Sequence, residues 1–265
     1  MIKSKRSIYN NIIRSKDLLF ALAMRDVKAR YQLTILGLYW AIINPLVMAL
    51  IMGFVFENVF RASGIEGIPY IVFLFTALTF WNLFSNSVGS ASTSLTGQAS
   101  LLSKQYFPRI IIPTATVLAR LVDLCFSMVP VALLLYIYKV NININAWMLL
   151  LILIIHIIFT LGFSYLVSAL NVLYRDVSQV TGLLLMLWMY LSPIFYSISQ
   201  VPEEFRIYFK YNAIGQIVDM ERNLLLTGQA PSGSDILSAM IISLGVFIFG
   251  YIVFKKIEPL IAEVL

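Results

Sequence analysis

Apolar residues in this chain gather into six long stretches that charged side chains barely enter. No Asp, Glu, Lys or Arg occurs between Arg30 and Glu57, and similar gaps run from Glu66 to Lys104, Lys139 to Arg175, Asp176 to Glu203 and Asp235 to Lys255. A helix needs about 20 apolar residues to cross about 30 Å of hydrocarbon. The pattern predicts an all-α integral membrane protein with six transmembrane helices, at about Ile35 to Phe56, Pro69 to Asn86, Ile111 to Tyr138, Ala146 to Leu173, Val177 to Tyr196 and Ile236 to Phe254. Residues 1–34 then form an N-terminal arm and 255–265 a tail, with no linker dividing the bundle.

The segments between the spans carry their own patterns. From Asp17 to Tyr31, Leu18, Leu19, Leu22 and Val27 alternate with Arg25, Lys28 and Arg30, as in an amphipathic helix lying on a membrane surface with its basic groups on anionic headgroups. Ser85 to Ser103 is uncharged but rich in Ser, Thr, Asn, Gln and Gly, and is expected to leave the lipid or to line a protected path. The turn Lys104-Gln105-Tyr106-Phe107-Pro108-Arg109 follows it. Between spans five and six, Pro202-Glu203-Glu204 opens a helix, and Phe205, Tyr208, Phe209, Ile214, Ile217 and Val218 alternate with Arg206, Lys210, Asp219, Glu221 and Arg222. Two short amphipathic helices broken near Asn212 to Gly215 are expected, re-entrant into the leaflet or capping the bundle; a solvated loop is the alternative.

Composition agrees: 60% of the 265 residues are hydrophobic and 12% charged, where soluble domains carry about 25% charge. The net charge of +6 would suggest nucleic acid in a soluble protein. Here the excess has a topological explanation, and no nucleic-acid partner is expected. With the N-terminus inside, Lys3, Lys5, Arg6, Arg14, Lys16, Arg25, Lys28, Arg30, Lys104, Arg109, Arg175, Lys255 and Lys256 fall on the inner side. Only Arg61, Lys139, Arg206, Lys210 and Arg222 fall outside. The positive-inside rule therefore places both termini in the cytoplasm. The first apolar run is too long for a signal peptide and is expected to be retained as a span.

Candidate chemistry is sparse. Arg120 and Asp123 stand three apart inside the third span and share a helix face; they are either a site or a neutralising pair that fixes packing. His156 is the sole histidine, with no evident base or ligand nearby, and Cys125 lies in an apolar run as an expected buried hydrophobe. No metal site is expected. Aromatic residues, among them Tyr39, Trp40, Phe80, Trp81, Phe84, Trp188 and Tyr196, suit an interfacial belt or sugar stacking. No phosphate-binding loop G-x-x-x-x-G-K-[ST] occurs, so any ATP must be bound by another chain.

The order of several short motifs resembles the membrane subunit of a type 2 ABC exporter, in the branch that exports lipid-linked polysaccharides such as O-antigen, capsule and teichoic acid. They are Arg30-Tyr31, Leu36-Gly37, Trp40 and Pro45; Phe75, Leu78, Trp81 and Ser85; Leu101, Lys104, Phe107-Pro108-Arg109 and Pro113; Asn171, Tyr174-Arg175-Asp176, Ser192-Pro193-Ile194, Tyr196 and Val201-Pro202. Asn212-Ala213 departs from the Asn-Pro common in that branch. The resemblance implies a transport subunit of the bacterial inner membrane, not an enzyme. It also implies a homodimer with the sugar path along its interface, and two nucleotide-binding subunits that hold ATP and Mg2+; this chain itself needs no cofactor. It further implies that Ser100, Leu101, Lys104, Phe107, Pro108 and Arg109 meet the ATPase. The lipid anchor would enter near Arg25, Lys28, Arg30 and Tyr31, whose charge suits a pyrophosphate, and Tyr39, Trp40, Phe80, Trp81, Phe84 and Tyr196 would border the path. The alternatives are a small-molecule exporter of the same type and an integral membrane transferase acting on lipid-linked sugars, the latter lacking an obvious acid and base.

Overall fold

A computed structural model describes residues 2–32, 37–59, 67–104, 107–140 and 144–264. Ile35, Leu36, Arg61, Gln105 and Tyr106, and the side chain of Lys104, lie outside the described residues. In chain order the helices are α1 (Ile2–Tyr31), α2 (Trp40–Asn58), α3 (Tyr70–Ser92), α4 (Ala99–Lys104), α5 (Ile111–Ile137), α6 (Met148–Leu173), α7 (Val177–Tyr190), α8 (Glu203–Tyr211), α9 (Ala213–Leu226) and α10 (Gly233–Val264). Four stretches are long and apolar enough to cross a membrane: Tyr70–Ser92, Ile111–Ile137, Asn145–Leu173 and Gly233–Ile261. The chain is a multi-pass membrane protein, all-helical among the described residues.

A helix also occupies each of the two remaining apolar stretches, α2 with 19 residues and α7 with 14. At about 1.5 Å per residue, α7 with its 14 residues reaches only about 21 Å. It stops at Tyr190, not at the expected Tyr196, because Pro193 cannot continue the helix and the chain turns through Leu191 to Tyr196. The opposite correction applies after the second apolar stretch. The polar residues following Asn86 do not leave the helix: α3 continues to Ser92. Their hydroxyls return to nearby carbonyls, Ser92 Oγ donating to Gly89 O at 2.7 Å and Ser94 Oγ to Ala91 O at 2.7 Å.

Helix α3 is the central element, touched by α2, α5, α6, α7 and α9, and most of its side chains are buried. The tightest helix pair is α6 with α10. A Cβ on Gly250 would lie 2.1 Å from the Gly162 carbonyl oxygen, and one on Gly162 would lie 2.7 Å from the backbone of Phe247. Glycine at both positions lets the two backbones touch, the packing mode small residues permit where lipid removes the hydrophobic drive between helices.

Two apolar clusters divide the bundle. One joins α3, α6 and α9 with the end of α7. The other gathers Leu22 and Ala23 of α1, Leu95, the start of α5, the end of α6, and Phe254, Ile257 and Ile261 of α10. The expected tail is thus a helical continuation of α10 that closes the second cluster. Helix α1 lays Leu22 and Ala23 against the bundle and leaves Phe20 and Met24 exposed. Cys125, expected to be buried, is exposed on α5, because Leu124 and Ser127 take the inward positions on that turn.

Candidate functional site: a charged cavity between four helices

The last turn of α1 carries Arg30 and Tyr31, and α5 carries Arg120 and Asp123 one turn apart. Packing of α1 along α5 brings these two pairs, 92 and 93 residues apart in sequence, onto one carboxylate. Asp123 Oδ2 accepts from Arg30 Nη1 and from Arg120 Nη1, the latter at 3.1 Å. Asp123 Oδ1 accepts from the Tyr31 hydroxyl at 2.6 Å. Arg120 Nη2 also donates to Ser90 Oγ on α3, and Arg30 Nε donates to the Asp26 carbonyl at 3.2 Å. Burial beside the Asp123 charge pushes the Tyr31 phenol up to about 12, so it remains a donor at physiological pH.

Two guanidinium groups facing one carboxylate leave the cluster one positive charge in excess. Its side chains keep 16% (Asp123), 20% (Arg120) and 23% (Arg30) of their exposure. They line a cavity of about 450 Å³ whose other walls include Trp40 and Asn44 of α2 and Thr79, Asn82 and Asn86 of α3. A cationic, amide-lined cavity offers hydrogen-bond donors to an anionic or polyhydroxylated ligand. The two readings of Arg120 and Asp123 merge here, since the pair joins helices and also lines a cavity.

The remaining expected residues lie in several parts of the bundle. Arg25 pairs with its neighbour Asp26 at 2.9 Å on the surface, and Lys28 is exposed. Leu101 and Phe107 pack on the cluster that holds α1 and the end of α10. The Arg109 backbone N–H donates to Glu258 Oε1 at 3.2 Å, and its guanidinium to the Glu258 carbonyl. Pro108 and Ser100 are exposed. The structure therefore gathers α1, the turn before α5 and the end of α10 at one end.

Tyr39 and Trp40 are exposed. Phe80, Trp81 and Phe84, expected along a path, are instead buried within this chain; Phe84 stands 5.5 Å from both Trp81 and Trp188, edge to face. These rings fill the core of the chain because α3 is surrounded on all sides. Tyr196 lines a groove of about 810 Å³ with Trp188, Phe205, Tyr208 and Tyr211, between the end of α7 and α8.

Sequence reasoning missed a second charged region. In α9, where apolar and charged residues alternate along the sequence, Glu221 and Arg222 are fully buried. His156 of α6, expected to stand alone, has Glu221 against it, with Nδ1 3.0 Å from Oε1 and 3.1 Å from Oε2. Arg222 donates to the Pro193 carbonyl at 2.8 Å, pairs with Asp219, and lies 3.8 Å over the Phe73 ring. Burial pushes the Glu221 carboxyl up, opposed by His156, and pushes the Arg222 guanidinium down, opposed by Asp219. Asn212 fixes the break between α8 and α9: its Oδ1 accepts from Gly215 N at 3.2 Å and from Trp188 Nε1 at 2.9 Å.

Residues 17–226 match the ABC-2 type transporter family. The chain belongs to that family. Among curated relatives it is similar to two proteins named O-antigen export system permease protein RfbA from Klebsiella pneumoniae. One is 31% identical over 94% of this chain and 95% of the relative, and the other 33% identical over 80% and 81%. A protein of the same name from Myxococcus xanthus is 30% identical over 77% of this chain and 76% of its own length. This ABC-2 type transporter thus aligns with the Klebsiella relatives over most of its length, and the family match includes α1 from Asp17 onward, both residues of the α5 pair, and α9.

Proposed function

We propose that this chain is the membrane subunit of an ATP-driven exporter that carries a lipid-linked, O-antigen-like polysaccharide across the bacterial inner membrane. It works with a second copy of itself and two nucleotide-binding subunits that hold ATP and Mg2+. The observation that carries this reading is the cavity with one excess positive charge, walled by Arg30, Tyr31, Arg120, Asn44 and Asn82, a suitable receptor for a diphosphate headgroup joined to sugar. The names of the relatives favour a polysaccharide over a small molecule.

In this reading α2 and α7 complete six spans with the four longer helices, both termini are cytoplasmic, and α1 rests on the inner membrane surface. Helices α8 and α9 form the re-entrant segment, and the sugar path follows the homodimer interface, bordered by Tyr39, Trp40 and Tyr196. ATP binding closes the partner subunits against the segment from Ser100 to Arg109. The Arg109–Glu258 contacts pass that movement to α10, and the Leu22 cluster passes it to α1. Rings in the groove beside α8 stack on sugar faces while hydroxyl and amide groups bind sugar hydroxyls.

The test is ATP hydrolysis by this chain co-purified with its nucleotide-binding partner in lipid nanodiscs, with and without lipid-linked polysaccharide. Hydrolysis stimulated by the lipid-linked polymer, and lost in Arg120→Gln, supports the reading. An equal response to the free polymer, or none to either, excludes it.

A further inference from the structure

The two arginines on the carboxylate also separate two cavities. Arg30 and Arg120 line the 450 Å³ cavity and, on their other side, a second cavity of about 250 Å³ formed with Asp26, Ser90, Ser94, Gln98 and Thr116. Gln98 ends the short turn Thr96–Gln98 that leads into α4. Asp123 belongs to the first cavity alone.

We infer that Asp123 is an internal stand-in for a transported diphosphate: the anion takes Arg30 and Arg120 from Asp123, and the carboxylate takes them back when the anion leaves. The inference rests on the function proposed above and adds to it a specific exchange. Its ground is the mismatch between donors and acceptor. Both arginines converge on the single oxygen Oδ2, although a guanidinium presents five N–H donors in a fork suited to paired acceptor oxygens. Arg120 Nε is buried without a hydrogen-bond partner. A diphosphate presents many acceptor oxygens and at least two negative charges, so it satisfies both forks where one carboxylate cannot.

The charge balance explains why a carboxylate is present. Two arginines facing a dianion with no other charge would be neutral and would hold the ligand tightly. Asp123 leaves one excess negative charge in the occupied site, so occupancy is weakened and the ligand can leave, as transport requires. The exchange also has a mechanical consequence. Arg30 and Tyr31 bind α1 to α5 through Asp123, so removing Arg30 from the carboxylate loosens α1 beside the segment leading into α4. Headgroup arrival is thereby reported to the end of the bundle where the nucleotide-binding subunits would dock.

The experiment measures binding of inorganic pyrophosphate, and separately of a polyprenyl diphosphate, to the full chain in nanodiscs. Asp123→Asn, and Asp123→Gln as a second neutral variant should Asn fold poorly, are expected to bind pyrophosphate about tenfold more tightly than the unaltered chain. Asp123→Glu, which keeps the competitor, should stay near the starting affinity. In a Cys125→Ser background, spin labels at Met24→Cys on α1 and Val129→Cys on α5, both exposed positions, should change separation when pyrophosphate is added. Preference for the lipid diphosphate identifies a headgroup; equal affinity for inorganic pyrophosphate identifies a free-anion site worked by the same exchange. Equal or weaker binding by the neutral variants, or binding by no form, overturns the inference. ATP-driven export with pyrophosphate affinity unaltered in Asp123→Asn would remove the exchange and leave the transport function standing. Loss of substrate-stimulated hydrolysis in the unaltered chain would remove both.

Discussion

The bundle contains two groups of charges in apolar surroundings, and they are built differently. Around α9, His156, Glu221 and Arg222 have side-chain exposures of 0 or 1%: Glu221 takes His156 as its partner, and Arg222 takes Asp219, the Pro193 carbonyl and the face of the Phe73 ring. Around Asp123 the side chains keep 16 to 23% exposure and border two cavities. Sealed charges cost several kcal/mol of desolvation unless they are paired, so those of α9 act as bolts that hold one arrangement. Charges left partly wet at a cavity lose less on separation and suit a site whose partners change. The difference teaches that burial and access, more than the presence of charge, separate fastening from function here.

The comparison breaks most sharply at Arg222. Arg222→Met removes its bonds to Pro193 and Asp219 and leaves the 16%-exposed Asp219 carboxylate beside an apolar core. A loss of about 3–5 kcal/mol is expected, read as a fall in thermal unfolding midpoint in detergent. His156→Leu should come next, because it strands the Glu221 carboxylate. Its sign with pH is fixed. With burial raising the Glu221 carboxyl and no His156 to oppose it, the variant should be most stable below about pH 4.3, the ordinary glutamate value. It should lose stability as pH rises through the raised value. Adding Glu221→Met should restore most of the loss and abolish the pH slope, since replacing both partners of a buried pair is often close to neutral. If the double variant were no better than His156→Leu, the pair would not be the bolt.

Asp123→Asn should behave in the opposite manner. Its partners remain partly hydrated, so a stability change below about 1.5 kcal/mol is expected, accompanied by the large change in anion affinity. A stability loss as great as that of Arg222→Met would put both regions in one class. The smallest effect belongs to Lys255, whose pairing with Glu258 lies at the surface with 44% exposure of the lysine side chain. Lys255→Ala should change stability by less than about 0.5 kcal/mol, and it sets the scale for the others.

The helical class was legible from uninterrupted apolar runs, and the division into α8 and α9 from the proline, the acidic first turn and the Asn212 break. The length of α3 was not, because Ser and Thr read as loop residues unless their hydroxyls return to carbonyls, as Ser92 and Ser94 do. Half of the charged cavity was also legible: Arg120 and Asp123 mark themselves by three-residue spacing inside a span. Arg30 and Tyr31 looked like surface groups, since nothing local to Arg30 indicates an acceptor 93 residues away. The partnership of His156 with Glu221 left no signal either, because it joins residues 65 apart.

By itself, the sequence determined that this protein is helical and lies in a membrane, because hydrocarbon thickness and backbone hydrogen bonding act on every apolar run separately. It also carried the family's motifs in order. Only the tertiary structure decided which charges are sealed and which face a cavity, and that the Phe80, Trp81 and Phe84 rings fill the core of the chain. Burial and pairing depend on which distant helices meet, as at Gly162 and Gly250, and that is a property of the packed bundle.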